Sequence, residues 1–300
     1  MVSFLLSSLV IFLSYRVNKR SPQREYAWIM AFNASVDIFS SLYNGLVAPS
    51  AVSTSSTMYM IFENPFLQNI SASTARAAAF FLEVASLCSA PCNAIHFYYR
   101  YRLLCKGDMW SKQRYLTAYG MALAVIFVIA TLFCASGNLA NERSRQELIA
   151  ISGGGYPVHP HVFVTLDDPT FMLCALLCLL GYVGEYGLII FCGQRIIRQA
   201  REGISSATAS TQKAQKHLIT VMILQAVYPL ILYFSPIVYV TAMLAMGVQF
   251  RNSGYLTAVS LQLLSPLNAI SVLTLIPAYR RVFTKKPPTN SGTYFISVSR

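Results

Sequence analysis

Three acids stand inside long apolar stretches of this 300-residue chain: Asp37, Glu83 and Glu185. A carboxylate surrounded by hydrocarbon is costly, so each must find a partner, hold its proton or meet a ligand. Asp37 has Asn33, Ser40 and Ser41 within a helical turn, and Glu185 stands among Gly181, Gly184 and Gly187. Interhelical hydrogen bonding is the first reading for both. Glu83 is read either that way or as a ligand contact, because it falls where a pocket between helices would open. The four histidines (His96, His159, His161, His217) lie far apart in the reading below, and the His159-Pro160-His161 pair has no third metal ligand nearby. HExxH, paired aspartates with GxGD, a P-loop and GxSxG are all absent. The residues therefore specify no catalytic group, no cofactor and no metal, and the chain is read as no enzyme.

A second constellation is His96-Phe97-Tyr98-Tyr99-Arg100-Tyr101-Arg102, which closes the stretch from residue 79 to residue 104. The stretch is apolar and rich in small residues (Ala85, Ser86, Ser89, Ala90, Cys92, Ala94). Small side chains let helix backbones approach where lipid supplies no hydrophobic drive, so this span belongs at the centre of a bundle. Tyrosine and arginine at one end mark the exit from hydrocarbon to headgroups and cytosol. His96 and Arg100 are four apart and share a helix face with Cys92 and Cys88. Arg100 is read either as part of a surface for a cytoplasmic partner or as an anchor that snorkels to the interface.

Composition limits what can hold these residues. The chain is 55% hydrophobic and 11% charged, with a mean hydropathy of +0.51. A soluble domain carries about 25% charged residues, so a membrane protein is expected. The net charge of +12 is scattered through short connections and gathers on no face, which argues against a nucleic-acid partner. The seven cysteines (Cys88, Cys92, Cys105, Cys134, Cys174, Cys178, Cys192) lie in or beside apolar runs. They read as buried thiols and not as a disulfide framework. Cys105 and Cys192, at cytoplasmic edges, could carry an acyl chain.

Seven spans are expected, at about 2–15, 26–48, 79–101, 115–136, 170–192, 218–243 and 255–277, in one domain with a short tail at 278–300. The first supplies only 14 residues, below the roughly 20 that cross a bilayer. Its positive residues follow the apolar run instead of preceding it, unlike a signal peptide, so a start upstream of Met1 is favoured over a tilted short span. Nineteen of the 23 Lys and Arg fall in the first, third and fifth connections and the tail; Arg76, Arg143, Arg145 and Arg251 are the rest. Positive connections stay cytosolic, which puts the amino terminus outside and the carboxyl terminus inside. The sequon Asn69-Ile70-Ser71 then lies outside, as an acceptor must. The fourth connection, 137–169, with its Gly153-Gly154-Gly155-Tyr156-Pro157 run, is expected to be an irregular, solvated outer lid. Pro229 and Pro236 in the sixth span each remove a backbone hydrogen bond and form a hinge; Pro91, Pro266 and Pro277 bend other spans.

Pieces along nearly the whole chain resemble the nematode seven-transmembrane chemoreceptors of the Str superfamily, of Str or Srj type. They are His96 to Tyr101 against an HFxYRY signature, Phe191-Cys192-Gly193-Gln194-Arg195-Ile196, Gln225 to Pro236, and Pro266-Leu267-Asn268 through Pro277-Ala278-Tyr279-Arg280-Arg281. The resemblance implies a G-protein-coupled chemosensory receptor of the plasma membrane, in sensory cilia, for a small, often volatile ligand, with a heterotrimeric G protein and membrane lipid as partners. It places Tyr99-Arg100-Tyr101 where rhodopsin-like receptors carry Asp/Glu-Arg-Tyr; here the acid is missing, as is the paired outer cysteine. Glu83, Phe171, Tyr233, Phe234 and Gln262 are the expected pocket lining. Tyr99, Arg100, Tyr101, Arg195 and Arg198 are the expected coupling residues, together with Arg201, Lys213 and Lys216 of the third inner loop. Other classes remain open at this point: a ligand-gated channel of inverted seven-span topology, or a small-solute transporter, which would show paired halves.

Overall fold

The computed structural model of the chain describes residues 2–18, 24–54, 56–152, 159–204, 220, 223–235, 238–239, 242, 246, 253–276 and 279. Helices dominate: α1 (Val2–Asn18), α2 (Arg24–Val47), α3 (Ala72–Leu87), α4 (Ser89–Lys106), α5 (Lys112–Ser136), α6 (Glu142–Ser152), α7 (Pro169–Ile204), α8 (223–235) and α9 (Ser253–Leu275). By length and apolarity, α3 with α4, α5 and α7 are each long enough to cross a membrane, and α1, α8 and α9 contain shorter apolar helices. At about 1.5 Å per residue, the 36 residues of α7 reach some 54 Å, well beyond a 30 Å hydrocarbon core. Met172, Leu176, Leu180 and Val183 of α7 and Met121, Val125 and Val128 of α5 are exposed. Such a wide apolar surface suits lipid and not water.

Helix ends follow local chemistry. Asp168 caps α7, its Oδ1 accepting from the backbone N–H groups of Thr170 (2.8 Å) and Phe171 (3.0 Å), with Pro169 placed where no N–H is needed. Ser111 caps α5 by accepting from Arg114 N. Gly107 stops α4 in the left-handed conformation (φ 66°), and Arg102 pairs there with Asp108 through its Nε at 3.1 Å. The expected span 79–101 is thus longer, 72–106, and interrupted at Cys88. Pro91 lacks the N–H that would reach Leu87 O, and its ring crowds that carbonyl. Neighbouring side chains serve the carbonyls around the break: Tyr119 hydroxyl donates to Cys88 O (3.2 Å) and Ser40 to Ala85 O (2.6 Å).

One end of the bundle carries a four-stranded antiparallel sheet of order β1-β2-β4-β3. β1 (Pro49–Ser53) and β2 (Thr57–Phe62) form a hairpin after α2; β4 (His161–Thr165) pairs with β2, and β3 (Asn138–Leu139) with β4. The described parts of the fourth connection are therefore ordered into α6, β3 and β4, contrary to the irregular, solvated loop expected of them; the Gly153-Gly154-Gly155-Tyr156-Pro157 run lies outside the described residues. The physical reason is the partner supplied by the second connection: β2 satisfies the backbone of β4, and alternate residues of both strands pack inward. Val162 and Val164 join Val47, Phe62, Ala79, Leu82 and Phe133 in an apolar core beneath the sheet. Gly137 lets this happen closely, since a Cβ there would stand 3.0 Å from Val162 Cγ1. At the opposite end, Val10, Leu13, Ile29, Met30, Tyr99, Tyr115, Val272 and Tyr279 form a second core, and Ala94, Phe97, Ile189, Cys192 and Ile196 tie α4 to α7.

Candidate functional site

Between the two cores the interior turns polar. Asp37 is 9% exposed, and the Asn268 side chain of α9 lines the same space beside its carboxyl. Ser265 adds a bond to Asp37 O at 3.1 Å. Asn33, Asn93, Gln225 and Ser7 line the same cavity, which encloses about 20 Å³. That is room for one water-sized group and not for an organic ligand. The neighbours expected from sequence are engaged elsewhere: Ser40 on α3, Ser41 on Ser3 of α1 (2.6 Å), and Asn33 between His96 (3.5 Å) and the Tyr115 hydroxyl (3.4 Å). Spacing along one helix could not name Asn268, 231 positions away in the chain. Asp37 thus ties α2 to α9, beside a small cavity to which α1, α4 and α8 also contribute.

Of the expected pocket lining, Glu83 and Phe171 occupy the sheet half of the bundle. Glu83 lies within electrostatic reach of Cys134 on α5 and Cys174 and Cys178 on α7, and Phe171 packs against the core beneath the sheet. Among the described residues Glu83 has no salt-bridge partner. Gln262 is exposed on α9 and does not join them. The side chains of Tyr233 and Phe234 lie outside the described residues.

The sheet closes this half from above. Tyr59 and His161 are each 1% exposed. The Tyr59 hydroxyl donates to the Glu147 carboxylate of α6, which also accepts from Arg143 Nε (3.1 Å). His161 Nδ1 donates to His159 O at 3.0 Å, and Nε2 shares a hydrogen bond of 2.8 Å with Ser144 Oγ. Burial holds His161 below its usual range, with the His159 carbonyl opposing the shift. The hydrogen bond from Tyr59 holds Glu147 below the ordinary carboxylate range. His161 is therefore a structural element of the lid. Among the described residues no group of three or more His, Cys, Asp or Glu could hold a metal, and the seven cysteines are free thiols.

At the far end, Arg100 is 2% exposed and Tyr99 3%. The Tyr99 ring packs on Tyr115 (centroids 6.2 Å apart) and the Tyr101 ring on Phe191 of α7 (5.8 Å). Arg195 stacks over the other reach of Phe191, its guanidinium 5.6 Å from the ring centre; Arg195 and Arg198 are exposed. In α8, Pro229 is followed by a π-helical turn, Leu230–Phe234, closed by the Ser235 N–H on Leu230 O. A proline plus a π turn concentrates bending at one place. Pro236, Lys213, Lys216, Pro277 and the Arg201 side chain lie outside the described residues.

Residues 1–285 match the family described as "Serpentine type 7TM GPCR chemoreceptor Srd". The chain belongs to that family. It is a G-protein-coupled chemosensory receptor, a multi-pass membrane protein of a receptor family and not of an enzyme family. The receptor's fold is similar to that in the crystal structure of squid rhodopsin, with a TM-score of 0.66 over 95% of this chain and 81% of that one, at 15% identity. That likeness establishes a seven-helix rhodopsin-like bundle. No curated protein matches the receptor's sequence. The motif resemblance pointed to nematode serpentine chemoreceptors of Str or Srj type; the family that matches is a nematode serpentine one, Srd.

Proposed function

We propose that this receptor faces outward with the sheet and inward with Arg100, and that it carries a small-molecule signal between the two. The seven spans are α1, α2, α3 with α4, α5, α7, α8 and α9. Asn69, exposed beside the sheet, is the glycosylation site, and the clustering of cationic residues at the other end supports a cytosolic carboxyl terminus. The Str-like motifs are then features held in common among nematode serpentine families, and the plasma membrane of sensory cilia is the site of action.

A small, often volatile ligand binds in the sheet half, near Glu83 and Phe171, with Tyr233 and Phe234 of α8 as further contacts. Its preference for one bundle arrangement shifts the population. Bending at Pro229 and the π turn moves the inner part of α8. Arg100 then emerges between Tyr101 and the exposed Arg195 and Arg198 to meet a heterotrimeric G protein.

The observation that carries this reading is the burial of Arg100, 2% exposed, on α4, where its neighbour Tyr101 packs on Phe191 of α7 and Phe191 in turn carries the exposed Arg195. A buried cation adjoining a docking surface is what a closed state requires. The test is ligand-evoked calcium release in cells expressing the receptor with a promiscuous G protein. Arg100→Ala should lower the response by about tenfold or more with surface expression intact. An unchanged response removes Arg100 from coupling.

A further inference from the structure

A second cavity, of about 300 Å³, opens sideways between α2, α3 and α5 and is lined by Ser35, Val36, Phe39, Phe81, Val84, Cys88, Tyr119, Leu123 and Phe127. Each helix contributes residues at three- and four-residue spacing, so one face of each is turned to the space. No charged residue lines it. Its rim side chains Phe39, Phe81 and Phe127 are 40–45% exposed, so the opening is to hydrocarbon. The sheet and α6 cover the outer end of the bundle, and no part of the sheet lines the cavity.

On its sheet side the lining rings Phe39, Phe81 and Phe127 are linked into an arc through Tyr43 and Phe80, which stand behind the lining. Phe39 touches Tyr43 (centroids 6.4 Å), Tyr43 touches Phe81 (6.2 Å), Phe81 meets Phe80 edge to face (5.3 Å), and Phe80 reaches Phe127 (5.6 Å). The hydroxyls nearby are already committed: Tyr43 donates to Ala78 O (3.1 Å), Tyr119 to Cys88 O (3.2 Å) and Ser35 to Ala31 O (2.9 Å). The space thus offers ring faces, ring edges and the Cys88 sulfur, and no free donor.

We propose that this cavity binds a small, uncharged aromatic molecule that reaches it from the lipid phase. An apolar cavity excludes water and takes apolar solutes of matching size, and this one has the volume of an ordinary small-ligand site. Edge-to-face ring contacts favour an aromatic occupant over a saturated chain, and sulfur–ring contact adds to that preference. The floor of the cavity is the break at Cys88, held by Tyr119. An occupant therefore presses on the point where α3 hands over to α4, the helix that carries Arg100. This site is separate from the outer pocket near Glu83 and does not depend on that reading.

The test uses the full chain in phosphatidylcholine vesicles and the photoprobe 3-trifluoromethyl-3-phenyldiazirine, with labelled peptides located by mass spectrometry. Labelling of residues 35–39, 81–88 and 119–127 should exceed that of the lipid face of α7 (Leu176, Leu180, Val183) by about tenfold, the ratio that one favourable ring contact produces. Excess toluene should abolish the difference. So should Leu123→Trp, which fills the space from α5, and Val36→Phe, which fills it from α2; elution of each detergent-solubilised variant as a single symmetrical peak reports folding. Labelling spread evenly over the lipid-facing helices overturns the proposal. Labelling that cholesterol displaces and toluene does not also overturns it, because the occupant is then a bilayer lipid. The readout needs no G protein, so a receptor that fails to signal still decides the question.

Discussion

The two ends of the bundle solve opposite problems. The sheet end is fastened by backbone pairing, with β2 and β4 in register from Thr57↔Thr165 to Ile61↔His161, and a small network of Tyr59, Glu147, His161 and Ser144 joins the strands to α6. The opposite end is fastened by ring contacts and by polar side chains reaching between helices, as in the Ser14–Tyr279 hydroxyl pair at 2.7 Å. Paired backbone resists bending, whereas side-chain contacts between helices can exchange partners. The difference teaches where motion is permitted: α4 breaks at Cys88 and α8 bends after Pro229, both toward the inner side of the sheet-bound core.

The largest effect should come from cutting the rigid end. Phe62 is fully buried under the sheet, and Phe62→Ala should cost about 3–5 kcal/mol, the usual range for removing a buried ring. A thermal-unfolding midpoint in detergent should fall steeply, with signalling lost as a consequence. If Phe62→Ala unfolds no earlier than Arg195→Ala, whose side chain is exposed, the contrast between the ends is unsound. Arg100→Ala should do the reverse. Its response falls by about tenfold or more while the unfolding midpoint moves little beside that of Phe62→Ala. Replacing Arg195 and Arg198 by Glu should weaken coupling without altering ligand binding, since both stand on the exposed reach of α7.

Acid should separate the ends further. His161 is held below its ordinary value of 6.5 because burial disfavours the imidazolium. Below pH 6.5 the unfolded chain binds a proton that the folded lid resists, so this stability is full above that pH and declines as the pH falls through the folded value. Glu147, held low by Tyr59, adds a second loss below its ordinary 4.5. The protection factors of β2 and β4 amides, corrected for the intrinsic exchange rate at each pH, should fall from about pH 6.5 downward, with those of helix α7 unaffected over the same range. His161→Gln should flatten the upper part of that profile. A profile equally steep in His161→Gln would assign the acid response to another group.

How much of this was legible in the sequence depends on the distance between partners. Apolar runs separated by cationic connections announce helices, because each helix satisfies its own backbone and needs only its own residues. The stretch around Arg100, the break-prone Pro91 and the bend at Pro229 were readable for that reason. The sheet was not, because the signal in β4 (HVFVT) is five residues long and its partner β2 is about a hundred residues upstream. A strand without its partner reads as loop, and so the connection that holds His161 reads as solvated. The alternation of TMYMIF in the second connection was the available signal. Asp37 stands out by its cost in lipid, yet Asn268, which lines the same cavity, sits on the last helix, and no spacing rule reaches that far. Gln262 and Phe171 show the same limit on a smaller scale. The rotation of each helix, which only packing sets, turns Phe171 inward and leaves Gln262 exposed.

The smallest predicted effect sits at the joint between the helical and the sheet-bound regimes. Ala48 leaves α2 with φ 46°, its N–H still bonded to Asn44 O at 2.8 Å and its carbonyl accepting from Glu63 N at 3.1 Å. A left-handed residue with a Cβ is disfavoured by about 1–2 kcal/mol, while glycine there loses about 0.5–1 kcal/mol more chain entropy on folding. Ala48→Gly should therefore raise stability by roughly 0.5 kcal/mol, the difference between those two effects. The gain should appear in exchange protection of β1 and β2 and leave ligand response unchanged, since both hydrogen bonds are made by the backbone. A decrease in protection would mean that the turn is held by the Ala48 methyl group. The sheet would then be fastened to α2 by packing as well as by hydrogen bonds, and the rigidity assigned to its paired backbone would belong in part to the helix beneath it.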